Sequence, residues 1–221
     1  MRHQGTLGGN LCQKPRCWYY RGEFHCLRKG GETCFAFKGE NQYHCLFGGV
    51  DCYIVHPSDT APVLAALEAR VALTGPKGTR VVKVEEFFMP PAVDPTQETV
   101  AGPEELVTEI LIPAPPPGLK SSYRKVRARG AWDFALAGAA LALHFDGRRV
   151  ARARVFLSGV APIPWRAREV EEALTGRELT AETIAGAAAA AVRDAEPLSQ
   201  NGYKVPLVRA VIEEELEAIR P

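Results

Sequence analysis

Gly5-Thr6-Leu7-Gly8-Gly9-Asn10-Leu11-Cys12 opens the stretch on which the reading of the chain turns, because five more cysteines follow it by residue 52. Cys12, Cys17, Cys26, Cys34, Cys45 and Cys52 are interleaved with Trp18, Tyr19, Tyr20, basic residues and glycines, and residues 53–221 contain no cysteine. A hydrophobic core does not gather its thiols at one end of a chain; ligation does. The glycine pair before them reads as a loop that brings bare backbone to an anion. Gly8 and Gly9 would let the chain approach a pyrophosphate, with Thr6 and Asn10 supplying side-chain hydrogen bonds. Taken alone, the same five residues also read as a plain tight turn.

Outward from this block, Tyr53–Val55 reads as a short strand and His56-Pro57-Ser58-Asp59 as a turn. Ala61–Ala69 reads as a short helix, with Pro62 tolerated in its first turn. Arg70–Thr74 and Thr79–Val84 flank Gly75-Pro76-Lys77-Gly78 as a hairpin, and Leu106–Ile112 as a further strand. Asp59 either presents a carboxylate to a sugar-type hydroxyl or caps the helix behind it. Ala114-Pro115-Pro116-Pro117-Gly118 is a stiff connector that marks the boundary between units 1–113 and 119–221. Beyond it, 121–129, 134–145 and 148–158 read as three antiparallel strands, the last two joined at Asp146-Gly147. Helices over 165–174, 181–193 and 206–219 then close the chain, with Thr180 as an N-cap and Pro206 in a first turn. Lys125 lies in the unusually basic Tyr123–Arg129 strand, whose plain reading is a solvated sheet face.

The cysteine intervals, C-x4-C-x8-C-x7-C-x10-C-x6-C, contain no C-x2-C pair, so the common zinc-finger and ferredoxin spacings are absent. Long intervals still let four thiolates converge on a cubane cluster. Zinc, or free buried cysteines acting as small hydrophobes, fit the spacing too. Arg16, Arg21, Arg28 and Lys29 lie where they could offset an anionic cluster, and Trp18, Tyr19, Phe24 and Phe35 where they could shield it. His25, His44 and His56 could be ligands, but they stand at no metal spacing and read first as loop or turn histidines.

A hydrophobic share of 46%, a charged share of 24% and a net charge of +1 are those of an ordinary globular chain. They give no field for nucleic acid or an anionic membrane surface. No apolar run reaches the ~20 residues of a membrane span, and the first residues are no secretory signal. A cytoplasmic chain is expected, whose reduced thiols favour metal over disulfides.

In order, R-H-Q-G-T-L-G-G-N-L, H-P-S-D-T-A-P, P-E-E-L-V-T-E-I-L-I-P and Y-R-K-V-R-A-R-G-A-W-D-F-A resemble the flavin-binding medium subunit of molybdenum hydroxylases. That family includes xanthine dehydrogenases, carbon monoxide dehydrogenases and 4-hydroxybenzoyl-CoA reductase. The resemblance runs over nearly the whole chain. It implies an α+β fold: the second lobe of a PCMH-type FAD-binding domain with a Cys-rich insertion at 12–52, then a sheet-and-helix domain like the C-terminal one of carbon monoxide dehydrogenase flavoproteins. It places Thr6, Leu7, Gly8, Gly9, Asn10, Asp59, Val107 and Lys125 at FAD. The reductase branch is similar in its inserted loop, which implies a [4Fe–4S] cluster on Cys17, Cys26, Cys34 and Cys52. Cys12 and Cys45 are then left over, with Cys45 able to replace Cys52 on spacing.

The implied activity is that of an oxidoreductase subunit, inactive without its partners. It would pass electrons between iron–sulfur clusters, FAD and an acceptor such as NAD, beside a large molybdenum-cofactor subunit and a small [2Fe–2S] subunit. With five residues before Thr6, the chain resembles the family without its first lobe, so weak or absent FAD binding by this chain alone is expected. The rival from another class is a zinc-stabilised interaction module or a structural remnant without flavin.

Overall fold

The fold is taken from a computed structural model that describes residues 4–221. Two antiparallel sheets carry it. In the first half, β1 (Arg70–Gly75) sits between β2 (Gly78–Lys83) and β3 (Leu106–Leu111). In the second, β4 (Leu119–Val126), β5 (Ala137–Asp146), β6 (Arg149–Ser158) and the two-residue β7 (Trp165–Arg166) form a sheet in sequence order. The hairpin at Asp146-Gly147 forms as the sequence predicts, with Gly147 at φ 58 where a Cβ would be strained.

Small side chains decide the packing. Every residue from Ala137 to Leu143 is buried, so β5 has no solvent face over that length. Ala139, Leu141 and Leu143 point to one core, with Val155 and Leu157 of β6. That core is closed by α5 (Arg168–Leu174), α6 (Ala181–Ala190) and α7 (Lys204–Ile219), the last burying Val208, Val211, Ile212 and Leu216. Ala140, Ala142 and Phe156 point to the opposite core, shared with Leu64 and Ala65 of α3 (Thr60–Ala66), with Val71 and Leu73 of β1, and with Phe87 of α4 (Val84–Phe87). The two halves therefore pack on opposite faces of one sheet.

Several expectations shift. The second sheet has four strands, not three, because Trp165–Arg166 pairs with β6 before the helix begins at Arg168. Tyr53–Val55 joins no ladder; Tyr53 O accepts from Cys45 N–H and His56 N–H donates to Ala161 O, so loop groups use its backbone. The strand expected over 121–129 stops at Val126, and 127–136 loops out with Trp132 at φ 57. The cysteine block is not pure loop. It holds α1 (Leu7–Leu11), α2 (Trp18–Arg21) and a 3-10 turn at Leu27–Lys29.

Hydrogen bonds fix that block against the second half. Leu46 and Phe47 bury their side chains in its core, and Phe47 stacks on Trp165 at 5.4 Å. Lys204, fully buried, donates from Nζ to the carbonyls of Tyr43 (3.0 Å), His44 (3.1 Å) and Gly159 (2.8 Å). Asn201 donates to the carbonyls of His44 and Cys45. Burial without a carboxylate partner holds the Lys204 ammonium down at about 8. Lys204→Met leaves the Tyr43 and Gly159 carbonyls without their donor, while His44 keeps Asn201, and is expected to cost about 2–4 kcal/mol, read as a lowered urea midpoint at unchanged m.

Candidate functional site

Thr6 decides the form of the glycine stretch. Its hydroxyl accepts from Gly9 N–H at 3.0 Å, and its carbonyl accepts from Asn10 N–H, which nucleates α1. The expected open loop is thus one helical turn that uses two of its own amides. Gly8 is small for a packing reason: a Cβ there would meet Val107 Cβ and Cγ1 at 3.1 Å, so β3 lies directly under it. Leu7 stays exposed beside the cleft.

That cleft, about 1300 Å³, runs between α1, Thr60 of α3, and the 125–133 segment leading out of β4. Thr6, Leu7, Gly9, Asn10 and Lys125 line it; Gly8 and Val107 support its floor from behind. Asp59 lines the neighbouring cavity and meets the cleft through Lys125. Although Asp59 precedes α3, its side chain makes no capping bond; Ser58 Oγ accepts from Ala61 N–H instead. Asp59 is used otherwise: Oδ2 accepts from Lys125 Nζ at 2.6 Å and Oδ1 from Tyr123 Oη at 3.1 Å. Tyr123 and Lys125 share one face of β4 by period two, which turns the basic strand's lysine inward rather than to solvent. Burial, first of all, drives the Tyr123 phenol well above its usual range, so it acts as a donor. Ser58 and Thr60 donate to Asn10 Oδ1 at 2.6 and 2.7 Å.

Four of the six cysteines share one small hollow. Cys17, Cys26, Cys34 and Cys52 line it, with Tyr19, Arg28, Phe35 and His44, and it holds only about 10 Å³, room for one water; Cys12 and Cys45 are outside its lining. Among the described residues, no three His, Cys, Asp or Glu side chains approach closely enough to hold a single metal ion. Cys17 receives backbone N–H bonds from Tyr19 and Tyr20, and His44 Nε2 lies 3.3 Å from its Sγ. Cys52 receives Ile54 N–H and the Arg28 guanidinium. Burial raises the Cys17 thiol and pushes Cys52 up to about 11, so the metal-free thiols are protonated at neutral pH.

Of the surrounding basic residues, Arg28 reaches a thiol, as expected, and the others bond elsewhere. Arg28 is buried and bound to the Glu98 carboxylate at 2.9 Å and to the Pro95 and Gln97 carbonyls. Arg21 and Lys29 donate to loop carbonyls, and Arg16 to Gln13. Tyr19, Phe24 and Phe35 pack together over the hollow at 5.0–6.2 Å, with Phe24 and Phe35 half exposed. His25 is a loop residue, whereas His44 touches the thiol ring. His56 is buried edge-on to Phe88, and burial holds its ring down at about 3. Sequence reasoning missed Tyr123, Ser58 and Thr60, and it set His44 behind its loop reading, since chain spacing says nothing about loop folding. The signal for Tyr123 was its two-residue offset from Lys125.

The family described as FAD binding domain in molybdopterin dehydrogenase matches residues 1–115, and the CO dehydrogenase flavoprotein C-terminal domain matches 121–217. The chain is 34% identical over 217 residues to the aldehyde oxidoreductase FAD-binding subunit PaoB of Escherichia coli, covering 96% of this chain and 64% of that one. It is 32% identical to the carbon monoxide dehydrogenase medium chain of Hydrogenophaga pseudoflava, covering 74% of this chain and 56% of the relative. A solved structure of that organism's carbon monoxide dehydrogenase superposes with a TM-score of 0.66 at 31% identity, over 74% of this chain and 56% of the other. The chain thus spans between about half and two thirds of the relatives it matches.

Exposure ranks the thiols: Cys12 is exposed, Cys17 and Cys34 half-buried, and Cys26, Cys45 and Cys52 buried. A disulfide reagent added to folded, metal-free protein is expected to react fastest at Cys12. Cys12→Ser should remove that phase, and Cys45→Ser should leave it intact.

Proposed function

The chain belongs to the family of FAD-binding domains in molybdopterin dehydrogenases, and from that premise we propose that it is the electron-transfer subunit of a molybdenum-dependent oxidoreductase, seating FAD in the α1–β4 cleft and a [4Fe–4S] cluster in the thiol-lined hollow. The observation that carries the reading is the joining of Lys125, from the second half, to Asp59, from the first, at the edge of the cleft whose wall is Thr6–Asn10.

The residues present suit a flavin dinucleotide. Lys125 and Arg127 give the cleft positive charge for phosphate, Asn10 an amide, and Asp59 an acceptor for a sugar-type hydroxyl. Trp132, 77% exposed, offers a planar face at the same wall. Gly8 and Val107 set the depth of the floor. The bound flavin supplies two-electron and one-electron exchange; the chain positions it and limits water.

The hollow's case for a cluster is its four cysteines, the number that a cubane takes. Four thiols on a zinc ion would sit about 2.3 Å from a common centre, and among the described residues no three candidate ligands are so placed. With about 10 Å³ between them, Cys17, Cys26, Cys34 and Cys52 would have to move apart to admit a cluster. Backbone N–H groups directed at Cys17 and Cys52 stabilise thiolates and are one lever on cluster potential. Loading must release the thiol protons, so uptake is expected to improve as pH rises.

By the same reading, the partners are a large molybdenum-cofactor subunit and a small [2Fe–2S] subunit, with NAD or another acceptor downstream. Support comes from the names of the relatives, a FAD-binding subunit and a medium chain. Among the described residues no helix is long and apolar enough to cross a membrane.

Anaerobic reconstitution with iron and sulfide tests the hollow. The expected product contains iron and sulfide in equal amounts and has broad visible absorption that dithionite bleaches. Ser at Cys17, Cys26, Cys34 or Cys52 should abolish it, while Cys12→Ser and Cys45→Ser retain it; colourless protein holding zinc would sink the cluster. Lys125→Met is expected to weaken FAD binding by about 1.5–3 kcal/mol, the worth of a hydrogen bond to a charged group, by flavin fluorescence titration.

A further inference from the structure

Asn10 carries a choice that an amide always carries: which end faces which neighbour. Its Oδ1 side meets two hydroxyls, Ser58 Oγ at 2.6 Å and Thr60 Oγ1 at 2.7 Å. Both distances are typical of O–H···O contacts and shorter than the usual N–H···O separation. Ser58 Oγ also accepts from Ala61 N–H and lies 3.1 Å from Thr60 Oγ1. With the carbonyl oxygen facing them, both hydroxyl protons have an acceptor. With the amide reversed, Ser58 could donate to Thr60 and the Thr60 proton would turn to the open cleft, but two N–H···O contacts would then be compressed to 2.6 and 2.7 Å. The short contacts therefore favour the orientation with Oδ1 toward the hydroxyls. Among the described residues nothing accepts from Asn10 Nδ2, and Asn10 lines the cleft.

We propose that Ser58 and Thr60 are positioning residues that lock the Asn10 carboxamide with its two N–H groups toward the cleft, so that this point of the site accepts only a ligand oxygen that receives hydrogen bonds. The proposal rests on the flavin reading for the identity of the ligand, not for the orientation of the side chain. On a flavin dinucleotide the hydroxyl oxygens also accept, but the electron-rich sources that suit a donor-only point best are a phosphate and a ring carbonyl. Lys125 and Arg127 share the cleft, and their charge adds to the same preference for an electron-rich oxygen.

Thr60 is the cleaner handle, because Ser58 also caps α3. Thr60→Val keeps the shape and removes one donor; Thr60→Ser keeps the donor. Asn10→Asp keeps an acceptor for both hydroxyls, so the fold should hold, yet it replaces the cleft-facing amide by an anionic oxygen. Titrations of the full chain with FAD, FMN, riboflavin and ADP, with thermal melts alongside, separate the sources.

Expected is about a tenfold or greater loss of FAD affinity for Asn10→Asp, a smaller loss for Thr60→Val, and recovery in Thr60→Ser. In an Asn10→Ala background Thr60→Val should have no further effect on affinity, since it acts through Asn10. A loss shared by riboflavin points to a ring carbonyl, and one seen with FAD, FMN and ADP but not riboflavin points to phosphate. Additive effects of the two substitutions, or unchanged affinity in Asn10→Asp, would overturn the proposal.

A ligand-free readout stands apart from the flavin reading. Side-chain amide resonances of Asn10 should show no close contact with the Thr60 side-chain protons; a strong contact means a reversed amide and ends the proposal. A correctly oriented amide in a chain that binds no flavin would uphold the orientation and remove the flavin reading instead.

Discussion

Everything else in the molecule depends on β5 having no face for water. Its Ala137-Gly138-Ala139-Ala140-Leu141-Ala142-Leu143 run is thin enough for helices to close on one side and for α3 with the first sheet to close on the other. Apolar burial at ~25 cal/mol per Å² on both faces makes the two halves a single packed body and not two beads on the Pro-rich connector. Gly138 shows how tight this is: a Cβ there would fall 2.5 Å from Ser158 Oγ and 2.7 Å from the Arg124 carbonyl. Because β4 pairs with β5, the same packing carries Tyr123 and Lys125 across the boundary to Asp59. Charge reinforces the joint, with Glu85 of α4 bridging Arg154 of β6 and Arg166 of β7.

The cysteine block is held by a different force. It offers the common core little beyond Leu46 and Phe47, so its position is set by polar groups that are costly to leave unpaired. Lys204 and Asn201 fasten the 43–45 backbone, Asn41 reaches Ser199 and Gln200, and Arg28 reaches the 95–98 loop. Such bonds specify place more than they add stability. The segment sets four cysteines along one hollow from 36 residues of chain, Cys17 to Cys52.

How much of this was legible followed the range of the interactions. The β1–β2 hairpin, the Asp146-Gly147 turn, α3 and the three closing helices rest on local chemistry: turn residues, caps and an apolar period. β7 is two residues long and exists because β6 offers an edge, which no local pattern announces. Thr6–Asn10 and Asp59 were found as separate candidates, each with a bland reading beside it. The structure separates those readings at Asp59, where Ser58 caps the helix and the carboxylate is left for Lys125. At Gly8 packing under Val107 accounts for the missing side chain. Thiol convergence is a property of loop folding, so spacing alone left iron, zinc and burial level.

The cleft and the hollow are separated by little protein. Between them lies a cavity of about 280 Å³ bounded by Cys17, His44 and Ile54, which also line the hollow, and by Asp133, which also lines the cleft. Its two histidines are kept uncharged: burial lowers His44 to about 4, with Lys204 adding to the effect, and His56 to about 3. A neutral gap matters because charges across a poorly hydrated space interact strongly. An imidazolium here would favour thiolate at Cys17 and pull on the Asp59 carboxylate together, tying the two sites to one proton. Desolvation removes that proton at physiological pH. Cys17 is then set by burial, which raises its thiol, against the backbone amides that lower it, and Asp59 stays bonded to Lys125 and Tyr123.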